Sequence, residues 1–191
     1  MLKFKANMAR SVVALGQIHN EMLGEVMPAI EKLDGKRSPD GIHMYLISGG
    51  GSMSSALALF DFLMARKNHI ITIGSGECSS AAVLLMQAGK KRWFTPHTEC
   101  LLHPVATDME SQQLVAKEMD RISATIKRMD DTYLNILLER AHFGCRTYEA
   151  AKAKAKAIIA EATFITPREA LSFGIIDGIT YRPTYERALG R

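Results

Sequence analysis

Residues 42–73 decide the fold, and they read IHMYLISGGGSMSSALALFDFLMARKNHIITI. An apolar strand is predicted from Ile42 to Ile47, and it ends in the glycine turn Ser48-Gly49-Gly50-Gly51. Helical spacing follows from Met53 to Leu63, and another strand is predicted from His69 to Ile73. Strand, glycine turn, helix and strand in this order form a βαβ unit with a right-handed crossover. The stretch therefore predicts an α/β protein with a parallel sheet.

The same pattern extends to both sides of this unit. A second glycine turn, Gly74-Ser75-Gly76, follows the strand that ends at Ile73. Near the end of the chain, Thr166-Pro167-Arg168-Glu169 is a capping box that starts a short helix ending at Gly174. The other predicted elements are strands at Val12–Ile18, Arg92–Thr95, Glu99–Leu102 and from Ile175, and helices at Glu21–Leu33 and Ser79–Ala88.

A long helix is predicted at about residues 109–143. It carries apolar residues alternately three and four positions apart, a spacing typical of a helix laid against another surface. One interpretation is packing on the protein's own core. The other is a contact between subunits, which the length of a protruding helix favours. The apolar stripe consists of Met119, Ile122, Ile126, Met129, Tyr133 and Ile136.

Composition excludes several classes of protein. The chain has 191 residues, of which 47% are hydrophobic and 23% charged, so neither a disordered nor a collagen-like chain is expected. We expect one domain spanning residues 1–191. The longest apolar run, Ala81–Met86, is much shorter than the roughly 20 residues that cross a bilayer.

A net charge of +4 is weak evidence for nucleic-acid binding. Three scattered cysteines and the lack of a secretory signal favour a reducing compartment, the cytoplasm.

A metal site is not expected. His97, Cys100 and His103 lie close in sequence, but on a strand the two histidines stand about 20 Å apart and the cysteine faces the other way. These three side chains cannot meet at one tetrahedral ion.

The two glycine turns are the candidate site, because open α/β sheets bind ligands at the carboxyl ends of their strands. Gly76-Glu77-Cys78-Ser79-Ser80 leads directly into a helix. A serine at such a turn presents its hydroxyl at the helix N-terminus, where the helix dipole favours a developing oxyanion. The alternative for Ser79 and Ser80 is ordinary helix capping.

Four separated motifs resemble the proteolytic subunit (ClpP) family of Clp proteases over about residues 12–179. They are the glycine turn 48–51, Gly76–Ala82, Leu102-His103, and the segment from Phe164 to Asp177. The resemblance implies a ClpP/crotonase-type fold of stacked βαβ units with a protruding handle helix. It also implies two stacked seven-membered rings that enclose a chamber for unfolded polypeptides, fed by an ATP-driven unfoldase.

The resemblance implies a serine endopeptidase that needs no cofactor. Ser80 matches the nucleophile and His103 the general base. The backbone N–H groups of Gly51 and Ala81 match the oxyanion hole.

The chain departs from the family pattern at three positions. Gly49 replaces the usual proline of the glycine turn, and Pro104 follows His103 directly. Ala162 stands where the family has the aspartate of its catalytic triad.

Because alanine cannot orient an imidazole, the third member of the triad has to come from elsewhere or be absent. Glu161 is the candidate helper, provided that the chain before Phe164 shifts its register. Asp108 and Glu99 are alternatives, although Glu99 lies about 13 Å from His103 along the same strand.

These residues favour a ClpP-like serine endopeptidase subunit, and two other functions stay open. One is a non-catalytic ring subunit of the same fold, in which alanine at position 162, in place of the triad aspartate, has abolished hydrolysis. The other is a crotonase-type acyl-CoA enzyme, which uses similar paired backbone donors but needs carboxylates rather than Ser80 and His103.

Overall fold

Five parallel strands form the central sheet of the protein. The computed structural model describes residues 7–105 and 116–180. The sheet has the order β1-β2-β3-β4-β7, and a separate antiparallel pair joins β5 to β6. The strands are β1 (Ser11–Leu15), β2 (Ile42–Ser48), β3 (Ile70–Cys78), β4 (Lys91–Phe94), β5 (Cys100–Leu102), β6 (Thr163–Ile165) and β7 (Gly178–Ile179). The helices are α1 (Asn20–Asp34), α2 (Met53–Met64), α3 (Ala81–Met86), α4 (Ala116–Leu138), α5 (Tyr148–Ala160) and α6 (Pro167–Phe173). The predicted α/β architecture with a parallel sheet is confirmed.

Burial on both faces of the sheet explains why its strands are so apolar. Three consecutive residues of β2, Ile42, His43 and Met44, are all buried, as expected of a parallel sheet covered on both sides. Every residue of α3 is buried as well, so this short helix lies inside the core. Among the described residues, no helix has the length and apolar composition needed to span a membrane.

The third strand is longer than predicted. The sequence predicts an end at Ile73 followed by a turn, but β3 continues to Cys78. Gly74 pairs in register with Phe94 on β4, and the Phe94 ring occupies the space that a side chain on residue 74 would need. Beyond it, the N–H of Cys78 donates to the carbonyl of Glu99 at 2.8 Å. Gly74 therefore allows close packing against Phe94. Beyond this glycine, β3 pairs with the segment that leads to His103.

Three other predicted boundaries are corrected by the structure. Strand β1 ends at Leu15 because Gly16, with a φ of +91°, turns the chain out of the strand. Helix α3 is shorter than the predicted Ser79–Ala88 because Ser80 has a non-helical conformation. The last strand starts at Gly178, and not at Ile175, because only Gly178 and Ile179 pair with β4.

Helix α6 confirms the predicted capping box. The Thr166 hydroxyl accepts the N–H of Glu169 at 3.2 Å, and the Glu169 carboxylate accepts the N–H of Thr166 at 2.7 Å. The helix stops at Gly174, whose φ of +76° is left-handed, as the sequence predicts.

The long helix α4 has a buried half and an exposed half. Tyr133, Leu134 and Leu137 pack into the core, whereas Met119 is 48% exposed and Ile126 is only half-buried. The predicted span of 109–143 is corrected at its C-terminal end, because the helix ends at Leu138 and the chain turns through positive φ angles at residues 143 and 144. Residues 109–115 lie outside the described residues. Packing on the protein's own core therefore explains the C-terminal half of the stripe.

Candidate active site

Ser80 stands on a strained turn between β3 and α3. Its φ is +54° and its ψ −127°, a conformation that non-glycine residues rarely adopt and that costs about 1–3 kcal/mol. Its N–H donates to the carbonyl of Leu101 at 2.8 Å, but its hydroxyl makes no capping hydrogen bond to α3. The capping explanation is therefore wrong for this serine. The strain presents the hydroxyl at the N-terminus of a buried helix, as in turns that carry a nucleophilic serine.

Ser79 has a structural role. It is 1% exposed, and its hydroxyl accepts the N–H of Leu101 at 3.0 Å. Its own N–H donates to the carbonyl of Ser48 at 3.0 Å. Ser79 therefore ties the turn to β5 on one side and to the glycine turn on the other.

The glycine turn 48–51 lies directly against Ser80. A Cβ on Gly50, whose φ is +110°, would lie 2.7 Å from the Cβ of Ser80 and 3.2 Å from the nitrogen of Ala81. A Cβ on Gly51, whose φ is +142°, would lie 2.6 Å from the carbonyl oxygen of Ile18. Only glycine fits both positions, and the absent side chains let two backbone segments meet beside the Ser80 hydroxyl.

Two backbone donors at this junction find no acceptor among residues 7–105 and 116–180. The N–H groups of Gly51 and Ala81 donate to no atom of the described residues. The N–H of Gly50, by contrast, donates to the hydroxyl of Ser48 at 3.1 Å. The predicted oxyanion donors are thus among the backbone groups that the described fold leaves available to a ligand oxygen.

His103 follows β5 and lies near Ser80 through the pairing of these segments. The carbonyl of Leu101 accepts the N–H of Ser80, and His103 is two residues further along the chain, about 7 Å in an extended segment. The His103 ring is half-buried, and its Nδ1 lies 2.6 Å from the carbonyl oxygen of Pro104. Among the described residues, no hydrogen bond joins the ring to the Ser80 hydroxyl. Such catalytic contacts often tighten only when a substrate binds.

The register of β5 and β6 places Ala162 close to His103. Leu102 and Thr163 form the last pair of this antiparallel register, and His103 and Ala162 are the next residues on the two segments. Ala162 therefore brings no carboxylate to the chain segment that lies beside His103.

Of the other candidate acids, Glu161 and Glu99 make no contact with His103 among the described residues. Glu161 is exposed at the C-terminal end of α5, and within residues 7–105 and 116–180 no hydrogen bond or ion pair joins it to His103. Glu99 is exposed as well, and Asp108 lies outside the described residues.

Tyr133 on α4 is a site residue that the sequence analysis treats only as part of the apolar stripe. Its hydroxyl donates to the carbonyl of Ser80 at 3.3 Å. Burial, together with the neighbouring thiols of Cys100 and Cys78, raises the pKa of Tyr133 well above its ordinary value, so the hydroxyl stays a donor. Helical spacing alone does not distinguish a tyrosine that packs from one that also holds the strained turn.

A cleft of about 480 Å³ opens beside the glycine turn, lined by residues 15–17, 47–51 and 77. The Glu77 carboxylate lies where a side chain on residue 49 would stand, 2.8 Å from the position of its Cβ. The proline that the family usually has at this position would therefore meet Glu77.

Burial disfavours the thiolate form of the two thiols near the site. Burial raises the pKa of Cys100 to about 12 and that of Cys78 well above its ordinary value. In the part of the chain that the structure describes, no group of three or more His, Cys, Asp or Glu side chains could hold a metal ion.

Comparison with known proteins agrees with this geometry. A family model described as Clp protease matches residues 3–183. The ATP-dependent Clp protease proteolytic subunit 3 of Synechococcus sp. (strain CC9902) is 26% identical over 170 residues, which cover 88% of this chain and 80% of that protein. The strained serine, the glycine turn and the histidine all lie within the matched residues. The chain therefore belongs to the Clp protease family, and its parallel α/β architecture is consistent with the ClpP fold.

Proposed function

We propose that this chain is a ClpP-like serine endopeptidase subunit. The Ser80 hydroxyl attacks the carbonyl carbon of a peptide bond while His103 takes up the serine proton. His103 then returns the proton to the leaving amine, and water hydrolyses the acyl-enzyme. The N–H groups of Gly51 and Ala81 stabilise the oxyanion that forms on the way. This chemistry requires no metal and no cofactor.

One observation carries the proposal: the strained backbone of Ser80 presents an uncapped hydroxyl beside two backbone donors without acceptors. A serine that only capped α3 would need no strain, and its hydroxyl would accept an N–H of the first turn of the helix. A nucleophile and an oxyanion hole explain both features together.

The same proposal extends to the substrate and the assembly. Subunits of the Clp protease family are generally oligomeric and work with Clp ATPases. We therefore infer two stacked seven-membered rings of one-domain subunits in the cytoplasm, acting on unfolded polypeptide that an ATP-dependent unfoldase supplies. The cleft beside the glycine turn offers room for an extended segment of such a substrate.

Hydrolysis of a fluorogenic peptide tests the assignment of the nucleophile. Ser80→Ala should reduce turnover to background, because loss of a catalytic serine costs on the order of 10⁶-fold. Ser54→Ala, at an exposed position on α2, should leave turnover unchanged. Equal turnover in Ser80→Ala and the parent protein would refute the proposal.

A non-catalytic ring subunit is the second candidate, and Ala162 favours it. Without a carboxylate at this position, hydrolysis could be lost while the ring architecture persists. A crotonase-type acyl-CoA enzyme finds no support, because the family match is to proteases and the described site centres on a serine and a histidine.

A further inference from the structure

The peptide unit between Pro104 and Val105 connects His103 to a carboxylate on α4. The carbonyl oxygen of Pro104 lies 2.6 Å from Nδ1 of His103, and the N–H of Val105 donates to Oδ1 of Asp130 at 2.8 Å. This C=O and this N–H belong to one planar, trans peptide unit, so they point in opposite directions. Fixing the N–H on Asp130 therefore fixes the direction of the carbonyl that faces the imidazole.

This contact determines which ring nitrogen carries the proton. A carbonyl oxygen only accepts hydrogen bonds, so Nδ1 of neutral His103 must be the donor. Nε2 is then left with its lone pair. A general base that accepts a proton from serine requires this tautomer, which a triad aspartate normally enforces.

The residue types around the peptide unit make it stiff. The ring of Pro104 fixes its own φ and restricts the preceding His103 to extended conformations. Asp130 belongs to the part of α4 that adjoins the buried residues Tyr133 and Leu134, so the carboxylate comes from an anchored element. Pro104, whose direct succession to His103 departs from the family pattern, is thus the residue whose carbonyl faces the ring.

We propose that Asp130 is a positioning residue for His103, acting through the Pro104–Val105 peptide unit in place of the carboxylate that Ala162 lacks. The negative charge on Asp130 polarises the peptide and strengthens its carbonyl as an acceptor, because hydrogen bonds in a chain reinforce one another. The proposal rests on the proposed function, and it deepens that function by naming what orients the base. Under this proposal, Glu161 does not orient the His103 ring.

Nitrogen NMR of histidine-labelled protein tests the proposal without substrate. The chain has six histidines, and a His103→Gln variant identifies the signals of residue 103. With the ring held neutral at alkaline pH, His103 should be protonated at Nδ1, and it should stay so in Ser80→Ala and in Glu161→Gln. Protonation at Nε2, a mixture of both forms, or a change of tautomer in Glu161→Gln would overturn the proposal.

Variants of Asp130 separate its hydrogen bond from its charge. Asp130→Asn keeps an oxygen acceptor for Val105 and should keep the tautomer while peptide kcat falls severalfold. Asp130→Ala loses both properties, so the tautomer should become mixed and kcat should fall about 10- to 100-fold with little change in KM. The matched controls Asp131→Asn and Asp131→Ala alter the exposed neighbour on the same helix and should change neither quantity.

These measurements decide the proposal whether or not every variant folds. If Asp130→Ala does not fold, Asp130→Asn still decides, because a kcat equal to that of Asp131→Asn would contradict a role for the charge. An unchanged tautomer in a folded Asp130→Ala would contradict the positioning role. If no variant and no parent protein hydrolyses peptide, the proposed function fails, but the tautomer of His103 and its response to Asp130 can still be read.

Discussion

At the scale of single residues, the candidate site depends on backbone conformations that side chains normally avoid. Ser80 and Ala162 have positive φ angles of +54° and +49°, and Gly50 and Gly51 lie further into the region that favours glycine. Such conformations persist only where the surroundings enforce them, and they concentrate at functional sites. Ser80, Gly50 and Gly51 lie at the junction of Ser80 with the glycine turn, and Ala162 directly precedes β6, whereas Phe143, which has a φ of +51°, packs against Phe173.

Substitution by alanine should have very different effects on stability at Gly49 and at Gly51. Gly51→Ala places a Cβ 2.6 Å from the backbone of Ile18 at a left-handed φ, so it should destabilise the protein by at least about 1–2 kcal/mol. It should also lower kcat about 10²- to 10³-fold by displacing one oxyanion donor. Gly49→Ala meets only the Glu77 carboxylate, the free end of an exposed side chain, and should change stability by less than about 0.5 kcal/mol.

Peptide kinetics and thermal unfolding of both variants check this contrast. A Gly51→Ala variant with parental turnover would remove Gly51 from the oxyanion hole. A large loss of stability in Gly49→Ala would show that Glu77 cannot move away.

Replacing Ala162 by aspartate should raise peptide turnover. Aspartate tolerates a positive φ better than most residues, so the local backbone can accept it. Its carboxylate would lie opposite His103 and stabilise the imidazolium that forms during acyl transfer. Because the ring is already oriented, we expect a gain of about 10- to 100-fold, well below the roughly 10⁴-fold effect of a triad aspartate.

Steady-state kinetics of Ala162→Asp, with Ala162→Asn as a control that adds no charge, measures this gain. Zero activity in an Ala162→Asp protein that still assembles would favour the non-catalytic subunit.

At the scale of secondary-structure elements, an ion pair between the buried Arg92 and the half-buried Asp177 joins β4 to the chain that follows α6. Two guanidinium nitrogens of Arg92 donate to the Asp177 carboxylate at 2.8 and 3.3 Å, and Arg140 lies 3.5 Å from it. Burial alone would raise the pKa of Asp177, but the hydrogen bonds and charge of Arg92, aided by Arg140, hold it below its ordinary value. The pair therefore fastens β4 to the segment that enters β7.

Asp177→Asn should destabilise the protein by about 2–3 kcal/mol at pH 7, because Arg92 is left buried without its counter-charge. A lowered folded-state pKa gives stability that is complete above the unfolded pKa of about 4 and is lost as the pH falls through the folded value. The difference between parent and variant should therefore shrink below about pH 4.

Urea unfolding of the parent and Asp177→Asn at pH 7 and pH 3 measures both quantities. Asp61→Asn is the control, since Asp61 is exposed and no ion pair within the described residues involves it. Equal unfolding midpoints for Asp177→Asn and the parent at pH 7 would contradict this account of the pair.

The elements themselves were largely predictable from the sequence, whereas their exact ends were not. Apolar periodicity and the capping box locate α2, α6 and the strand Ile42–Ser48, because these patterns depend on local residues. The extension of β3 to Cys78 depends on pairing with Ser48 on β2 and with Glu99, both of which lie more than 20 residues away. Local turn chemistry at Gly74 and Gly76 gives no indication of that pairing.

The position of the candidate site was predictable to a similar depth, whereas the catalytic roles of its residues stay predictions. Motif order identifies Ser80, His103 and the two glycine turns. The connection of His103 to Asp130 runs through backbone atoms, which every residue type provides, so no pattern of side chains indicates it. Tyr133 was missed for a related reason, because its contact is to the carbonyl of Ser80.

At the scale of the whole molecule, the exposed half of α4 is the surface through which we expect subunits to meet. Ile126→Asp should split the assembled particle into smaller species, because it would bury an unpaired charge at a cost of several kcal/mol. Ala124→Asp adds the same charge to an exposed position on the opposite face of the helix and should leave the particle intact. Sedimentation velocity distinguishes these outcomes.

A monomeric parent protein would contradict the assembly altogether. An intact particle in the Ile126→Asp variant would place the interface on another surface.

Covalent labelling of Ser80 tests the central claim most directly. A fluorophosphonate probe, which reacts with activated serine hydroxyls, is added to the parent protein, and the modified residue is mapped by mass spectrometry. The account predicts one adduct on Ser80, absent in Ser80→Ala and strongly reduced in His103→Gln. The absence of an adduct on Ser80 in an assembled parent protein would contradict the claim that Ser80 is a nucleophile. Labelling of His103→Gln equal to that of the parent would contradict its activation by His103.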